Sequence, residues 1–208
     1  MPNLSLTRLF SWLLMGTALS LLIFSGSNAA FTATSQSELA STWDRSHHGG
    51  AAAGAGSTLS NANDLTAVFQ IQRPRLAVGQ PLAKISVPAA ANWKGIVLEG
   101  SDDRVLAGGP GHLVGTAYPG EPDNMVISNH NTYSLQFGSL KVGDQIIVDA
   151  DYGHFVYRVS GFKTVAANDR SVTGHSSRAT LTFTTCYPLW AGAFAKERYV
   201  ITADEVKG

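Results

Sequence analysis

Short runs of alternating apolar and polar residues fill the chain from residue 82 onward. Such alternation puts apolar side chains on one face and is typical of half-buried β-strands. Turn residues rich in glycine and proline separate the runs, as at 108–111 and 119–122. The pattern predicts seven strands, over residues 83–87, 95–98, 124–128, 145–150, 154–159, 180–186 and 198–203. Seven or eight strands with little helix between them predict an all-β domain, either a closed antiparallel barrel or a sandwich.

Apolar residues form one block near the N-terminus. Arg8 precedes residues 9–24, which are apolar except for two serines, a glycine and a threonine. A spanning helix needs roughly 17 to 25 mostly apolar residues, and a signal-peptide core needs roughly 7 to 15. We therefore predict that residues 1–31 are a signal or membrane-anchor segment.

The end of this segment allows two interpretations. Extension of the apolar block through Phe31 makes a single membrane span, whereas Ser27-Asn28-Ala29 provides the small residues of a cleavage site. We favour the uncleaved anchor. In both cases we expect the rest of the chain on the outer, extracytoplasmic side of a cell membrane.

The block is followed by residues rich in alanine, glycine, serine and threonine. This composition predicts a flexible linker over residues 32–56, because it buries too little apolar surface to offset the entropy of ordering. We interpret the adjacent His47 and His48 as part of this solvated linker. Residues 57–73 predict one short helix, ended by Pro74. Residues 57–208 then form the folded domain.

Charge and cysteine content narrow the classes of function. The chain has 15 acidic and 15 basic residues among its 208, so no long-range field favours nucleic acid as a partner. A single cysteine, Cys186, excludes an intramolecular disulfide framework. Most single cysteines are small buried hydrophobes. We nevertheless favour a reactive thiol here, because Cys186 ends a strand-like run in a chain predicted to be exported.

Three chemically active residues stand at the ends of predicted strands. Cys186 ends one strand and Arg198 begins the next, so a hairpin brings both to one rim of the sheet. His130 follows another strand-like run and can reach the same rim. A thiolate is a nucleophile, histidine transfers protons, and arginine presents a fork of donors to an oxyanion. Together they predict an acyl-transfer site.

The sequence around these residues resembles the sortases, a family of membrane-associated cysteine transpeptidases. Residues 182–188, Thr-Phe-Thr-Thr-Cys-Tyr-Pro, are similar to the sortase signature TLxTC with phenylalanine in place of leucine. Residues 111–130 are similar to the segment that leads into the sortase histidine, and residues 198–200 to the strand that carries the arginine. The resemblance covers about residues 82–204 and is strongest to class D or proteobacterial-type members.

The resemblance implies a sortase-type closed antiparallel β-barrel of about eight strands with short helices. It implies that Cys186 forms a thioester with an LPxTG-like sorting signal, that His130 exchanges protons with the leaving and entering amines, and that Arg198 binds substrate or the oxyanion. The expected partners are a protein bearing the sorting signal and an amine acceptor from the cell envelope or another protein. Thr185 matches the signature threonine and is a candidate for substrate binding, although β-propensity alone accounts for it equally well. No cofactor or metal is expected.

The residues beside the histidine depart from the family pattern. Sortases usually have Gly-His-Arg where this chain has Asn129, His130 and Asn131. Asparagine tolerates a positive φ better than most residues, but it lacks the freedom of glycine. The loss of the arginine charge at position 131 leaves the substrate preference open.

Three alternatives remain at this point. A cysteine peptidase would resolve the thioester with water, and an inactive barrel would only bind an extended peptide. Zinc held by His112, His130 and Cys186 is disfavoured because their spacing matches no common ligand pattern, and we interpret His112 as a loop residue. Calcium dependence is open, with candidate ligands Asp102, Asp103, Glu121 and Asp123 in predicted turns.

Overall fold

The computed structural model describes residues 4–48 and 75–206, and it contains one closed β-barrel. The barrel strands are β1 (Pro81–Val87), β2 (Trp93–Glu99), β3 (Gly111–His112), β4 (Asn124–Asn129), β5 (Gln145–Ala150), β6 (Gly153–Ala166), β7 (Thr180–Tyr187) and β8 (Glu197–Glu205). Around the barrel they follow the order β1-β2-β3-β4-β7-β8-β6-β5. The structure thus has the barrel, rather than the sandwich, of the two architectures that the strand pattern allowed.

The strand directions correct one expectation. All seven predicted strands are present, and the short β3 is the eighth. The barrel is mixed rather than antiparallel, because β2 pairs parallel with β3 and β4 pairs parallel with β7. Chain connectivity explains the β4–β7 pair: β5 and β6 intervene in sequence, so β7 returns beside β4 without a hairpin.

The core fills the barrel interior with inward-facing side chains from most of the strands. Trp93, Phe137 and Phe183 form an aromatic cluster within it, with ring centroids 4.7 to 6.2 Å apart. Leu181 and Phe183 on β7 and Ile201 and Ala203 on β8 point into this core. Side chains at the intervening positions therefore face outward, which is the face that carries the candidate site.

Two α-helices and four short 3₁₀ helices complete the described part of the chain. The α-helices are α1 (Leu4–His48) and α2 (Asp103–Gly108), and the 3₁₀ helices are Asn131–Tyr133, Leu135–Ser139, Arg170–Thr173 and Gly192–Phe194. The Asp102 side chain caps α2 by accepting hydrogen bonds from the backbone N–H groups of Arg104 and Val105. The helix expected over residues 57–73 lies outside the described residues.

Helix α1 covers residues 32–48 of the segment in which a flexible linker was expected, and residues 49–56 lie outside the described part of the chain. Tertiary packing accounts for the difference. Trp43 is buried in a small cluster with Ile96, Leu98 and Val105. The Gln36 side chain accepts a hydrogen bond from Ile96 N at 2.7 Å and donates one to the Gly108 carbonyl oxygen at 2.7 Å. Contacts with the barrel thus order a segment whose own composition is weakly apolar.

The N-terminal part of α1 carries large apolar side chains that do not pack on the barrel. Eight of them are between 57% and 69% exposed, namely Phe10, Trp12, Leu13, Leu14, Met15, Leu19, Leu21 and Ile23. Within residues 4–48 and 75–206, no helical segment combines the length and the hydropathy that a membrane span requires.

Candidate active site

Strand pairing brings Cys186 and Arg198 side by side. They are direct partners in the antiparallel β7–β8 register, and both lie on the face opposite to Phe183 and Ile201. Cys186 is partly exposed. The hairpin relationship expected from the sequence is therefore present.

His130 reaches the same place through the parallel β4–β7 pair. The register joins Asn124 to Thr180 and continues in step to Asn129 and Thr185. His130 is the next residue after β4, so it stands level with Cys186. The three candidate residues thus occupy one end of three adjacent strands, in the order β4, β7, β8.

A pocket of about 570 Å³ opens at this end of the barrel. His130, Cys186 and Arg198 all line it. Its other walls come from the turn after His130, the connection between β7 and β8, helix α2 and helix α1. The structure therefore brings the three predicted residues together in a solvent-accessible pocket.

Asn129 holds the backbone on both sides of His130. Its side-chain oxygen accepts a hydrogen bond from His130 N at 3.0 Å, and its amide nitrogen donates to Ser134 Oγ at 3.0 Å. The Ser134 hydroxyl in turn donates to the His130 carbonyl oxygen at 3.0 Å. Asn129 lies within extended β4, not in the left-handed region. This position therefore does not need glycine, and the asparagine side chain fixes the histidine turn.

Asn131 connects the histidine turn to the segment that follows the cysteine. It is only 3% exposed, and its amide nitrogen lies 3.2 Å from the carbonyl oxygens of both Pro188 and Gly192. These two residues belong to the connection between β7 and β8. The departure from the family arginine thus places a neutral donor at a backbone junction.

Two carboxylates, those of Glu197 and Asp204, lie on the same strand as Arg198. In the described part of the chain, Asp204 pairs with Arg178 at 3.0 Å. Arg198 donates a hydrogen bond to the backbone carbonyl oxygen of Glu197 at 3.1 Å. The guanidinium therefore remains at the pocket wall.

Thr185 faces away from the pocket. It is 1% exposed, and its hydroxyl oxygen is buried with no hydrogen-bond partner among the described residues. Burying a hydroxyl without a partner costs free energy, so such groups call for an explanation. The predicted substrate contact of Thr185 is not visible in the pocket lining.

His112 lies apart from these residues and is not in a loop. It sits on β3 and is fully buried, with Nδ1 2.9 Å from Glu99 Oε2 and Nε2 2.9 Å from the Ala117 carbonyl oxygen. Both ring nitrogens thus face acceptors, and the imidazole joins β2 to the turn before β4. This arrangement separates His112 from His130 and Cys186, so these three do not form a common ligand set.

Three of the four candidate calcium ligands have protein partners, and the fourth, Asp103, lines the pocket. Asp102 caps α2, Glu121 accepts a hydrogen bond from Tyr118 N, and Asp123 contacts His175 at 2.6 Å. Burial raises the pKa of Asp123, but hydrogen bonds from His175 and from the N–H groups of Ser176 and Asn124 outweigh it and lower that pKa. The described residues contain no cluster of histidine, cysteine and carboxylate side chains that could hold a metal ion.

Helix α1 supplies a wall of the pocket that sequence reasoning missed. Phe31 and Thr32 line it, and the Thr32 hydroxyl lies 2.6 Å from both the Tyr133 hydroxyl and the Ala107 carbonyl oxygen. Tyr133 ends the 3₁₀ turn that begins directly after His130. No local pattern signals this role, because Thr32 lies in a segment without apolar periodicity.

The family model of the sortase domain matches residues 85–206. The chain belongs to the sortase family. Among curated relatives, sortase D of Bacillus subtilis (strain 168) is 35% identical over 112 residues, which are 53% of this chain and 57% of the relative. This sortase thus spans a little more than half the length of that relative.

Solved sortase structures share the fold. A Clostridium perfringens sortase D5 transpeptidase superposes with a TM-score of 0.62 at 21% identity, covering 86% of this chain and 99% of the other. Clostridium perfringens sortase C, solved with the C-terminal cell wall sorting motif, superposes with a TM-score of 0.58 at 25% identity. The match covers 66% of this chain and 78% of the other. Sortase A from Corynebacterium diphtheriae superposes with a TM-score of 0.58 at 23% identity, and the match covers 73% of this chain and 72% of the other. The barrel of this sortase is therefore that of its family.

Proposed function

We propose that this sortase is a cysteine transpeptidase of the class D type, which cleaves an LPxTG-like sorting signal and transfers the acyl group to an amine. The observation that carries the proposal is the alignment of His130, Cys186 and Arg198 at one end of three adjacent strands, around one pocket. The 35% identity to a sortase D over half the chain supports the class.

The first half of the reaction breaks the peptide bond of the sorting signal. The Cys186 thiolate attacks the carbonyl carbon, and the carbonyl oxygen becomes an oxyanion. The Arg198 guanidinium, directly across from Cys186, stabilises that charge. The carbon–nitrogen bond then breaks, and protonated His130 gives its proton to the departing amine. A thioester on Cys186 and a free amine product result.

The second half transfers the acyl group. The entering amine attacks the thioester carbon, neutral His130 takes the proton that the amine loses, and the Cys186 thiolate leaves. The new amide bond replaces the thioester, and His130 ends protonated as it began. Cys186 and His130 therefore end the cycle in the states in which they began.

The substrate class rests on the family and on one relative. The Clostridium perfringens sortase C structure contains a C-terminal cell wall sorting motif, and an LPxTG-like segment is the corresponding proposal here. Under this proposal, Thr185, which does not line the pocket, acts on the substrate through the position of the adjacent Cys186, and the acceptor is an amine of the cell envelope or another protein.

The location is also a proposal. Exposed apolar side chains between Phe10 and Ile23 favour an apolar environment around the N-terminal part of α1. We assign that environment to a cell membrane, with the barrel on the outer side. Resistance of the full chain to extraction from membranes at alkaline pH supports this assignment, and full release into the soluble fraction contradicts it.

The test of function uses the full chain, a fluorogenic LPxTG-like peptide and an amine nucleophile. Ligated product that disappears in Cys186→Ala supports transfer. Hydrolysis without ligation, at any amine concentration, assigns the chain to the cysteine peptidases. Peptide binding without either product, unchanged in Cys186→Ala, identifies an inactive binding barrel.

A further inference from the structure

The connection between β7 and β8, residues 188–196, separates Cys186 from Arg198 along the chain. Two of its large side chains face solvent: Trp190 is 82% exposed and Phe194 is 88% exposed. Hydrogen bonds within the connection join Ala191 N to the Pro188 carbonyl oxygen and Phe194 N to the Ala191 carbonyl oxygen. These bonds shape the connection but do not attach it to the barrel.

Asn131 attaches this connection to the histidine turn. Its buried amide nitrogen donates to the Pro188 and Gly192 carbonyl oxygens, both at 3.2 Å. Pro188 is two residues beyond Cys186, and Asn131 is the residue after His130. One side-chain amide therefore links the backbone next to His130 with the backbone just after Cys186.

We propose that Asn131 is a positioning residue that sets the placement of His130 relative to Cys186 by holding the β7–β8 connection. The inference rests on the proposed function, because it concerns the proton transfer between His130 and the amine. A misplacement of about 1 Å can reduce a rate by about 100-fold. The bonds of Asn131 need not touch the substrate to have such an effect.

The chemistry of the contact requires an amide rather than a residue of the same shape. Two carbonyl oxygens need two N–H donors, which the side-chain amide of asparagine provides. Asn131→Asp keeps the shape but places carboxylate oxygens against carbonyl oxygens. Asn131→Gln keeps both donors on a longer side chain.

The same strand offers a matched control. Asn124, 8% exposed at the opposite end of β4, also donates its amide hydrogens to two backbone carbonyl oxygens, those of Val172 at 3.1 Å and Gly174 at 2.9 Å. These acceptors lie in the segment around the Arg170–Thr173 helix, away from the pocket lining. Asn124→Asp and Asn124→Ala therefore remove a similar junction without altering the histidine turn.

The experiment compares both sets of variants in the full chain. We expect similar losses of thermal stability at positions 131 and 124. Only Asn131→Asp and Asn131→Ala should lower kcat in the transfer assay, by about 10 to 100-fold, with a smaller change in KM. The pH dependence of Cys186 alkylation by iodoacetamide should also change only in the Asn131 variants. Asn131→Gln should retain more activity than Asn131→Ala.

Two results overturn the inference: wild-type kcat and alkylation profiles in the Asn131 variants, or equal losses of kcat at positions 131 and 124. Where Asn131→Asp does not fold, Asn131→Ala and Asn131→Gln carry the comparison. Alkylation separates this inference from the proposed function. A wild-type chain that neither ligates nor hydrolyses the peptide refutes the function, whereas an altered alkylation profile in Asn131 variants still supports the positioning role.

Discussion

Cys186 and Arg198 are direct cross-strand partners on β7 and β8. Side chains in such pairs have Cβ atoms about 4.5 to 5.5 Å apart, so the guanidinium can reach a group bonded to the cysteine sulfur. The pairing of Arg178 with Asp204 leaves the Arg198 side chain at the pocket wall. The positive charge at the pocket is therefore built into the hairpin itself.

The role proposed for Arg198 predicts a graded response to substitution. Arg198→Gln removes the charge and should lower kcat/KM for peptide transfer by about 100 to 1,000-fold, the cost of one oxyanion donor. Arg198→Lys keeps the positive charge but lacks the forked donors of the guanidinium. Its kcat/KM should lie between those of Arg198→Gln and the wild type. Arg178→Gln, which removes an arginine that lies just before β7 and outside the pocket, is the control. Equal activity of Arg198→Gln and the wild type would contradict the oxyanion role.

Thr185→Val separates stability from function at the residue before the proposed nucleophile, Cys186. The hydroxyl is buried without a partner among the described residues, so its removal should leave the free energy of unfolding unchanged or raise it by up to about 1 kcal/mol. Substrate positioning predicts a fall in kcat/KM in the same variant. Urea unfolding and the transfer assay check the two effects. A more stable variant with full activity would reduce Thr185 to a structural role.

Docking of α1 should weaken as the pH rises. Burial lowers the pKa of His47, but its hydrogen bonds to the Trp43 carbonyl oxygen and to Asp151 outweigh burial and raise that pKa above 6.5. A group whose pKa is higher in the docked state stabilises docking below pH 6.5 and loses this effect as the pH passes the docked-state pKa. Amide hydrogen exchange in α1, corrected for intrinsic rates, should therefore show less protection at pH 8 than at pH 6.

Asp151→Asn should remove most of this pH dependence. Asp149→Asn is the matched control, because Asp149 pairs with His154 and not with α1. A pH-independent α1 in the wild type, or an equal effect of both substitutions, would show that His47 does not control docking.

The buried Glu99–His112 pair predicts a loss of stability when one partner is removed. Glu99→Leu leaves the Nδ1 atom of His112, a fully buried residue, without its carboxylate partner, and should lower the free energy of unfolding by about 1 to 3 kcal/mol. The double variant Glu99→Leu/His112→Leu removes both polar groups and should recover much of that loss. Urea denaturation measures both values. A single variant as stable as the double would contradict the pairing.

Local alternation was sufficient to place the strands but not to orient them. Residues 180–186 and 198–203 each carry a period of two, which depends only on neighbouring residues. The direction in which β4 pairs with β7 depends on residues 56 positions apart, as for Asn124 and Thr180, and no local pattern records it. The antiparallel expectation was wrong for that reason.

The candidate site divides in the same way. The β7–β8 hairpin made the contact between the positions of Cys186 and Arg198 predictable from the sequence. The position of His130 beside Cys186 depends instead on the parallel β4–β7 register, which the sequence did not reveal. Thr32 lines the pocket because helix α1 packs on the barrel, and that packing depends on the buried contacts of Trp43. His112 looked like a loop residue because its two-residue strand is too short to show alternation.

Helix α1 is continuous from its exposed apolar side chains to Thr32, which forms part of the pocket wall. From Ile23 to Thr32 a helix rises about 14 Å, at 1.5 Å per residue. Under the proposed membrane location, the helix therefore fixes the height of the pocket above the surface that covers its apolar end. A substrate anchored in the same membrane would have to place its cleavage point at that height, so the proposal sets a limit on the length of the spacer next to the substrate's own anchor.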